Sequence, residues 1–476
     1  MPVTSASPIP RKKPRGKRAG KAEASRTATF TLMRNQVLQD VGIPYFESLN
    51  TAKEQAIRLL QVAAEIEHAL MVQYLYAAGS IAVSKMVNGD LEDDTAAKVF
   101  ADTIMSIAVE EMGHLGTVQN LLLLLGGAQA FHIQRDELRT KSELNPLPFV
   151  LEPVNRRTLA RYVAAEMPEL NPVPQDVQEL LDLISDDAKG FPKRVGAIYA
   201  VLHLLFDDPQ ASDVRGNAPS AGLHLTDDDL LPTDTIKLYQ AEPGEWGDHF
   251  DQVLLFDQIF TRAEARNAIE KIMEQGEGFS TDEYQSSHFK TFMNLAKTLT
   301  TATIAVLPMA TSPTLTLGHG GENGELIEAD YTKLWARVQS LQYGLVLLGL
   351  LHALIIPRNT EEDKRRRKAI AELTVRGGMR KAVGSIAAVL TTLPMNAGDA
   401  QIKAGPPFDL DPKLVAPGDL SEFPDRHLSL LDELAGLYAK IRQHSDFQAD
   451  HGRVVANLET LDGRQRKLFS PPVLTS

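Results

Sequence analysis

The sequence predicts an all-α protein, a helical bundle with long insertions followed by an additional C-terminal helical region. Three observations predict it. Apolar residues recur at three- and four-residue steps through long stretches. No alternating pattern marks a strand of any length, and no segment repeats. Clusters of Gly and Pro break the chain between the periodic stretches. With 476 residues, 43% apolar and 23% charged, the chain has an ordinary globular composition and enough apolar material for a sizeable core.

The first periodic stretch runs from Thr51 to about Ser84, with Leu60, Ala64, Glu67, Met71, Tyr74 and Ala78 on one inward face. The second runs from Leu91 to Leu125. Its face carries Phe100, Ile104, Ile107, Ala108, Glu111, His114 (or Leu115), Val118, Leu122 and Leu125, and Gly126-Gly127 stops it. Asn145 to Pro153 holds too many prolines for a helix and reads as an extended connection. Thr158–Ala165, Asp176–Ile184 and Arg194–Phe206 read as shorter helices, and Asp207–Gly247, full of turn residues, as a surface excursion. Helical spacing returns at Arg262–Met273, ends near Gly276 and Gly278, and resumes from His288 to about Thr300. The Gly- and Thr-rich stretch Pro308–Gly324 reads as a linker centred on residues 311–324. It divides a bundle at 29–310 from a C-terminal region at 325–476 that packs on it. No Lys-bearing helix follows its glycines, which argues against a phosphate loop. Tyr331–Ile356, Glu362–Thr392 and Leu428–Gln443 form the second helical set, with irregular chain from Pro394 to Pro424.

The chain has no cysteine, which excludes disulfides, thiolate metal sites, iron–sulfur clusters and thiol nucleophiles. A transition metal would have to be held by His, Asp and Glu, ligands that suit iron, manganese or zinc. The net charge is −13. Arg11, Lys12, Lys13, Arg15, Lys17, Arg18, Lys21 and Arg26 against Glu23 put +7 before residue 28 and leave −20 on the rest. An acidic body does not suit nucleic acid, and residues 1–28 read as a disordered basic tail without the apolar stretch of a secretory signal. The apolar runs Leu121–Leu125 and Tyr343–Ile356 are shorter than the roughly 20 residues a membrane span needs. A cytoplasmic protein that binds neither membrane nor nucleic acid is expected.

Chemistry is concentrated on the inward faces of the first two long helices. Glu111 and His114 form Glu-x-x-His, one turn apart on one side of a helix. Glu67 occupies an inward slot where the period calls for an apolar residue. A lone buried carboxylate costs several kcal/mol, so it neutralises, pairs or binds a cation. Ferritin-like di-metal bundles take one Glu from each of two helices and Glu-x-x-His from each of the other two. Glu274 and Glu277, then His288, are placed to close such a site, and spacing does not choose between the two glutamates. The expected metal set is Glu67, Glu111, His114, Glu277 and His288. His68 beside Glu67 is the competing hydrogen-bond partner, the isolated His203, His249 and His352 read as hydrogen-bonded core or surface histidines, and Tyr74 and Tyr76 as core.

These blocks resemble the ferritin-like domain of the iminophenyl-pyruvate dimer synthase family, which includes enzymes coupling tryptophan-derived imines in violacein- and rebeccamycin-type pathways. The resemblance is carried by Ala64-Glu-Ile-Glu-His-Ala-Leu-Met-Val-Gln-Tyr-Leu-Tyr, Ile107-Ala-Val-Glu-Glu-Met-Gly-His-Leu, Pro148-Phe-Val-Leu-Glu-Pro, Glu166-Met-Pro-Glu, Glu274-Gln-Gly-Glu-Gly, Ser287-His-Phe and Ala404-Gly-Pro-Pro-Phe. It implies a ferritin-like four-helix bundle and a metal-dependent oxidoreductase acting on a small organic substrate such as an amino-acid-derived imine, in secondary metabolism. Its cofactor would be iron, mono- or dinuclear, with haem as the variant. There are two departures. Ala197 stands where several members carry a third-helix Glu, and Gln285 where a second Glu-x-x-His wants Glu. Both favour the alternative, a non-catalytic scaffold or binding protein with a degenerate site. Long insertions argue against iron storage, and a homodimer is the expected assembly.

Overall fold

The computed structural model describes residues 30, 34–35, 37–38, 46, 48–87, 90–135, 149–186, 195–207, 224–245, 258–278, 287–316 and 324–470. The expected basic tail, His249 and Gln285 lie outside them.

Two long helices pack along each other, α1 (Ala52–Gly79) and α2 (Thr95–Gly126). A capping box opens α1: the Thr51 hydroxyl accepts from the Glu54 N–H while the Glu54 carboxylate accepts from the Thr51 N–H. The Asp94 carboxylate caps α2, accepting from Ala96 and Ala97, and Gly127 at φ 72° ends it. The expected start at Leu91 is therefore early by four residues. Leu91 instead pairs with Met86 in a hairpin of β1 (Ser84–Val87) and β2 (Asp90–Asp93).

Next come α3 (Arg156–Glu166), α4 (Gln175–Leu181), α5 (Val195–Phe206), α6 (Thr233–Tyr239), α7 (Arg262–Glu277) and α8 (His288–Thr301). α3 packs along α8, α5 packs along α7, and α5 also lies on α1. The third and fourth positions of the bundle are thus each filled by two short helices. α3 stops where Met167 precedes Pro168, a pairing that disfavours helical backbone, and α7 stops at Gly278 in the left-handed conformation, φ 69°. The ends of these broken helices meet beside the α1–α2 pair.

The C-terminal set comprises α9 (Asp330–Ile355), α10 (Glu361–Ile370), two π-helical turns (Ala371–Arg376 and Gly378–Val383), α11 (Gly384–Leu390), α12 (Phe423–Gln443) and α13 (Ala449–Phe469). α9 is its hub. Tyr343, Val346 and Leu347 join the core of the bundle, while Trp335, Leu341 and Leu345 build a second core with α12 and α13. Among the described residues, α9 alone is long and apolar enough to cross a membrane, yet 89% of its most apolar stretch is buried in the fold. The segment read as a linker pairs at its two ends, β3 (Pro313–Thr314) with β4 (Glu325–Leu326), and residues 317–323 lie outside the described chain. β5 (Pro394–Asn396) and β6 (Asp399–Lys403) make a last short hairpin.

α9 meets the π turns at glycines. A Cβ at Gly349 would overlap the Thr374 side chain, and one at Gly378 would overlap Val346. Gly349→Ala gains up to about 1 kcal/mol of helix propensity. Overpacking costs about 1–3 kcal/mol, so a net loss of up to about 2 kcal/mol is expected from denaturant unfolding.

Two buried histidines meet at the base of this set. His352 on α9 and His427 on α12 are both 0% exposed, with ring centroids 5.3 Å apart, and His427 stacks on Phe469 at 3.8 Å. None of their four ring nitrogens has a hydrogen-bond partner. The sequence suggested that His352 would be hydrogen-bonded, and it is not. Burial, with Arg366 adding, pushes His352 down to about 3; burial also holds His427 well below the usual range.

Candidate metal centre

The helix ends converge on Glu111, which sits where α2 faces both broken pairs. His114 follows it by one turn, and its Nδ1 lies 2.8 Å from Glu111 Oε2 and 3.4 Å from Glu67 Oε2 of α1. On the other side His288, the first residue of α8, places Nδ1 2.9 Å from Glu111 Oε1 and 3.7 Å from Glu166 Oε1 at the end of α3. Two triads result, Glu67–Glu111–His114 and Glu111–Glu166–His288, each with ligand atoms within 4.8 Å of one another and with Glu111 shared. Glu277, the last residue of α7, lines the small cavity with Glu67, Glu111, His114 and Glu166. All six side chains belong to residues no more than 5% exposed, so their charges have no solvent to lean on.

Around this inner set runs a ring of fixed partners. His114 Nε2 lies 3.0 Å from Gln275 Oε1; Gln275 Nε2 donates to Glu110 Oε2 at 2.7 Å; and the same Glu110 oxygen is 2.8 Å from His288 Nε2. Both imidazoles are therefore held by Nε2 and present Nδ1 to the carboxylates, the outer-shell arrangement that orients metal-binding histidines. Two tyrosines hold the outer carboxylates. Tyr74 donates to Glu166 Oε1 at 2.6 Å and Tyr199 donates to Glu67.

Without a cation, protons balance these charges. Burial and the neighbouring Glu111 raise Glu67 to about 7. Burial alone would raise Glu111, but His288 and His114 hold it below the usual carboxylate range. His114 rises to about 10 against the opposing pull of burial, chiefly through Glu111 and Glu67, and His288 is raised for the same kind of reason.

The residues present fit a metal. Glu111 Oε1 and His288 Nδ1 stand 2.9 Å apart, do not meet in hydrogen-bond geometry and have no other hydrogen-bond partner. A cation between them would satisfy both atoms. The donors are all carboxylate oxygen or imidazole nitrogen, which suits iron, manganese or zinc.

All five residues expected from the sequence are brought to this one place. Of the two candidate glutamates, Glu277 lines the cavity and Glu274 does not. His68 turns away from Glu67, to the Ile133 carbonyl and the Tyr343 hydroxyl. His203 contacts Arg34 and Glu270, and Tyr76 donates to the Ala310 carbonyl. One expectation needs correction. Ala197 does not leave the third position without a carboxylate, because Glu166 supplies one from α3; Glu277 and His288 stand at the ends of two helices, α7 and α8. Tyr74, read as core, touches the cluster through Glu166. Sequence reasoning also missed Gln275 and Glu110. Glu166 had a signal: Leu159, Tyr162, Val163 and Glu166 follow one helical face.

A carboxylate–histidine cluster between helices on this plan agrees with the model of the family described as ferritin-like, which matches residues 60–297. The chain belongs to the ferritin-like family. Within it, the chain is similar to dichlorochromopyrrolate synthase of Lentzea aerocolonigenes, 25% identical over an alignment covering 86% of this chain and 42% of that enzyme. The chain thus spans about two-fifths of the length of that curated relative. No solved structure matches the chain. In this ferritin-like bundle, Gly196 at the start of α5 is a point of close approach, because a Cβ there would overlap the Glu277 carboxylate. Gly196→Ala is expected to push that flexible side chain out of the cluster. Metal affinity should fall roughly 10-fold, read by titration, with the melting temperature little changed.

Proposed function

We propose that this chain is an iron-dependent oxidoreductase acting on a small organic substrate, with amino-acid-derived imines as the first class to test. The observation that carries the reading is the pair of buried triads sharing Glu111. Glu67, Glu111 and His114 would hold one ion and Glu111, Glu166 and His288 a second, with Glu277 lining the cavity beside Glu67, Glu111, His114 and Glu166. Iron bound there supplies one-electron redox steps and the activation of dioxygen or a peroxide.

The chain's own part is orientation, proton storage and exclusion of water. Tyr199 and Tyr74 fix the carboxylates of Glu67 and Glu166, and Gln275 and Glu110 fix the two imidazoles. Burial keeps the cluster out of bulk water, so charge interactions within it are stronger than at the surface. The ferritin-like relative is a synthase, and the sequence blocks resemble imine-coupling enzymes; these support the substrate class.

The test is metal content and visible spectrum of wild-type protein purified without chelator, beside His114→Ala. Iron at about one or two per chain, reduced in the variant, supports the reading. An intense Soret band would move the chemistry to haem. Protein that stays folded but takes up no metal on reconstitution would leave the scaffold alternative.

A further inference from the structure

On the far side of the α1–α2 pair lies a second cavity, between the bundle and the C-terminal helices. Met71 of α1, Met112 of α2, Leu347 and Leu350 of α9 and Met379 of the second π turn line it. Its wall is carbon and sulfur, apart from Tyr343, whose hydroxyl is engaged by His68. The space is small, about 40 Å³. A cavity that holds benzene is nearer 150 Å³, and apolar cavities take up apolar guests such as xenon; this one is partly open, Met112, Leu350 and Met379 each being half-buried. A diatomic gas fits and an aromatic substrate does not.

Its position relative to the cluster follows from the helices. Leu70, Glu111 and His114 line the cluster cavity, and their immediate neighbours Met71, Met112 and Leu115 line this one. The two spaces are therefore separated by the same two helical turns. π turns are frequent at functional sites, and here they bring Val375 and Met379 to the wall.

We infer that this methionine-lined cavity is a holding site for dioxygen beside the metal cluster. The inference rests on the oxidative reading above, but its test needs no metal. The full chain is labelled at the methionine methyls and its relaxation compared under nitrogen and under pressurised oxygen. Met71 is expected to relax at least about threefold faster than Met293 and Met395, which are equally buried but outside the cavity. Met71 should lose its enhancement in Leu350→Phe, which fills the space from a half-buried position. Xenon pressure on the wild type provides the same displacement should that variant not fold. Enhancement at Met71 no greater than at Met293 and Met395 overturns the proposal. So does enhancement that neither xenon nor Leu350→Phe reduces. Failure to bind metal, measured separately, would sink the oxidoreductase reading and leave the methyl result standing as its own observation.

Discussion

Glu111→Ala is expected to empty both triads at once, with affinity for ferrous iron falling more than about 100-fold, beyond what loss of an outer partner costs. No other member of the cluster stands in both triads. Glu67→Ala or Glu166→Ala should each weaken one ion and spare the other, so stoichiometry by elemental analysis separates the three variants. The metal-free protein gives a second reading. Glu111 is the largest influence raising His114 to about 10, and it raises His288 as well. Removing it leaves two buried imidazoles with less countercharge, and both should lose their protons at lower pH, as followed by ring proton shifts. A His114 that still titrates near 10 in Glu111→Ala would refute this account. Because the imidazoles must be deprotonated to ligate, metal binding near neutrality should also release protons, and affinity should rise with pH.

The second large effect is acid lability of the C-terminal helices. His352 and His427 are buried neutral, so their folded pKa values lie below the unfolded value near 6.5. Above 6.5 neither state binds a proton and no stability is lost. As pH falls below 6.5 the unfolded chain takes up protons that the folded chain refuses. Stability then drops by about 1.4 kcal/mol per pH unit for each histidine. For His352 the loss continues towards its folded value of about 3. His203, also lowered by burial, adds in the same direction, so the comparison must be with a variant. His427→Phe keeps the stack on Phe469 and removes two unpartnered nitrogens. It should raise stability by about 1–3 kcal/mol at neutral pH and remove one histidine's share of the slope between pH 6 and 4. Urea unfolding at several pH values measures both, and an unchanged slope would sink the argument.

The long helices and the inner ligands were legible because burial left a periodic trace: Glu67 and Glu111 interrupt apolar faces that are otherwise regular. What escaped notice lay at helix ends or on shoulders. Glu166 closes α3 just before Met167-Pro168, where a terminal glutamate resembles an ordinary surface residue. Gln275 and Glu110 matter only through one another and the two histidines, a relation that no spacing encodes. α13 was missed because its buried positions include His451, Asp462 and Gln465 beside Val455 and Leu458, so its apolar face is broken. Asp94 is the reason α2 begins later than its apolar pattern, since a side-chain cap overrides periodicity at the first turn.

The divided third and fourth positions of the bundle bear on how this chain tolerates changes of length. A residue added within α1 or α2 turns everything beyond it by about 100°, which would swing Glu67 or Glu111 off the shared axis. Glu166, Glu277 and His288 stand instead at the ends of α3, α7 and α8. Residues added or lost between α3 and α5, or between α7 and α8, leave the phase of every helix untouched. Related sequences should therefore differ freely in length across those two connections, while holding the spacing within α1 and α2 fixed to the residue.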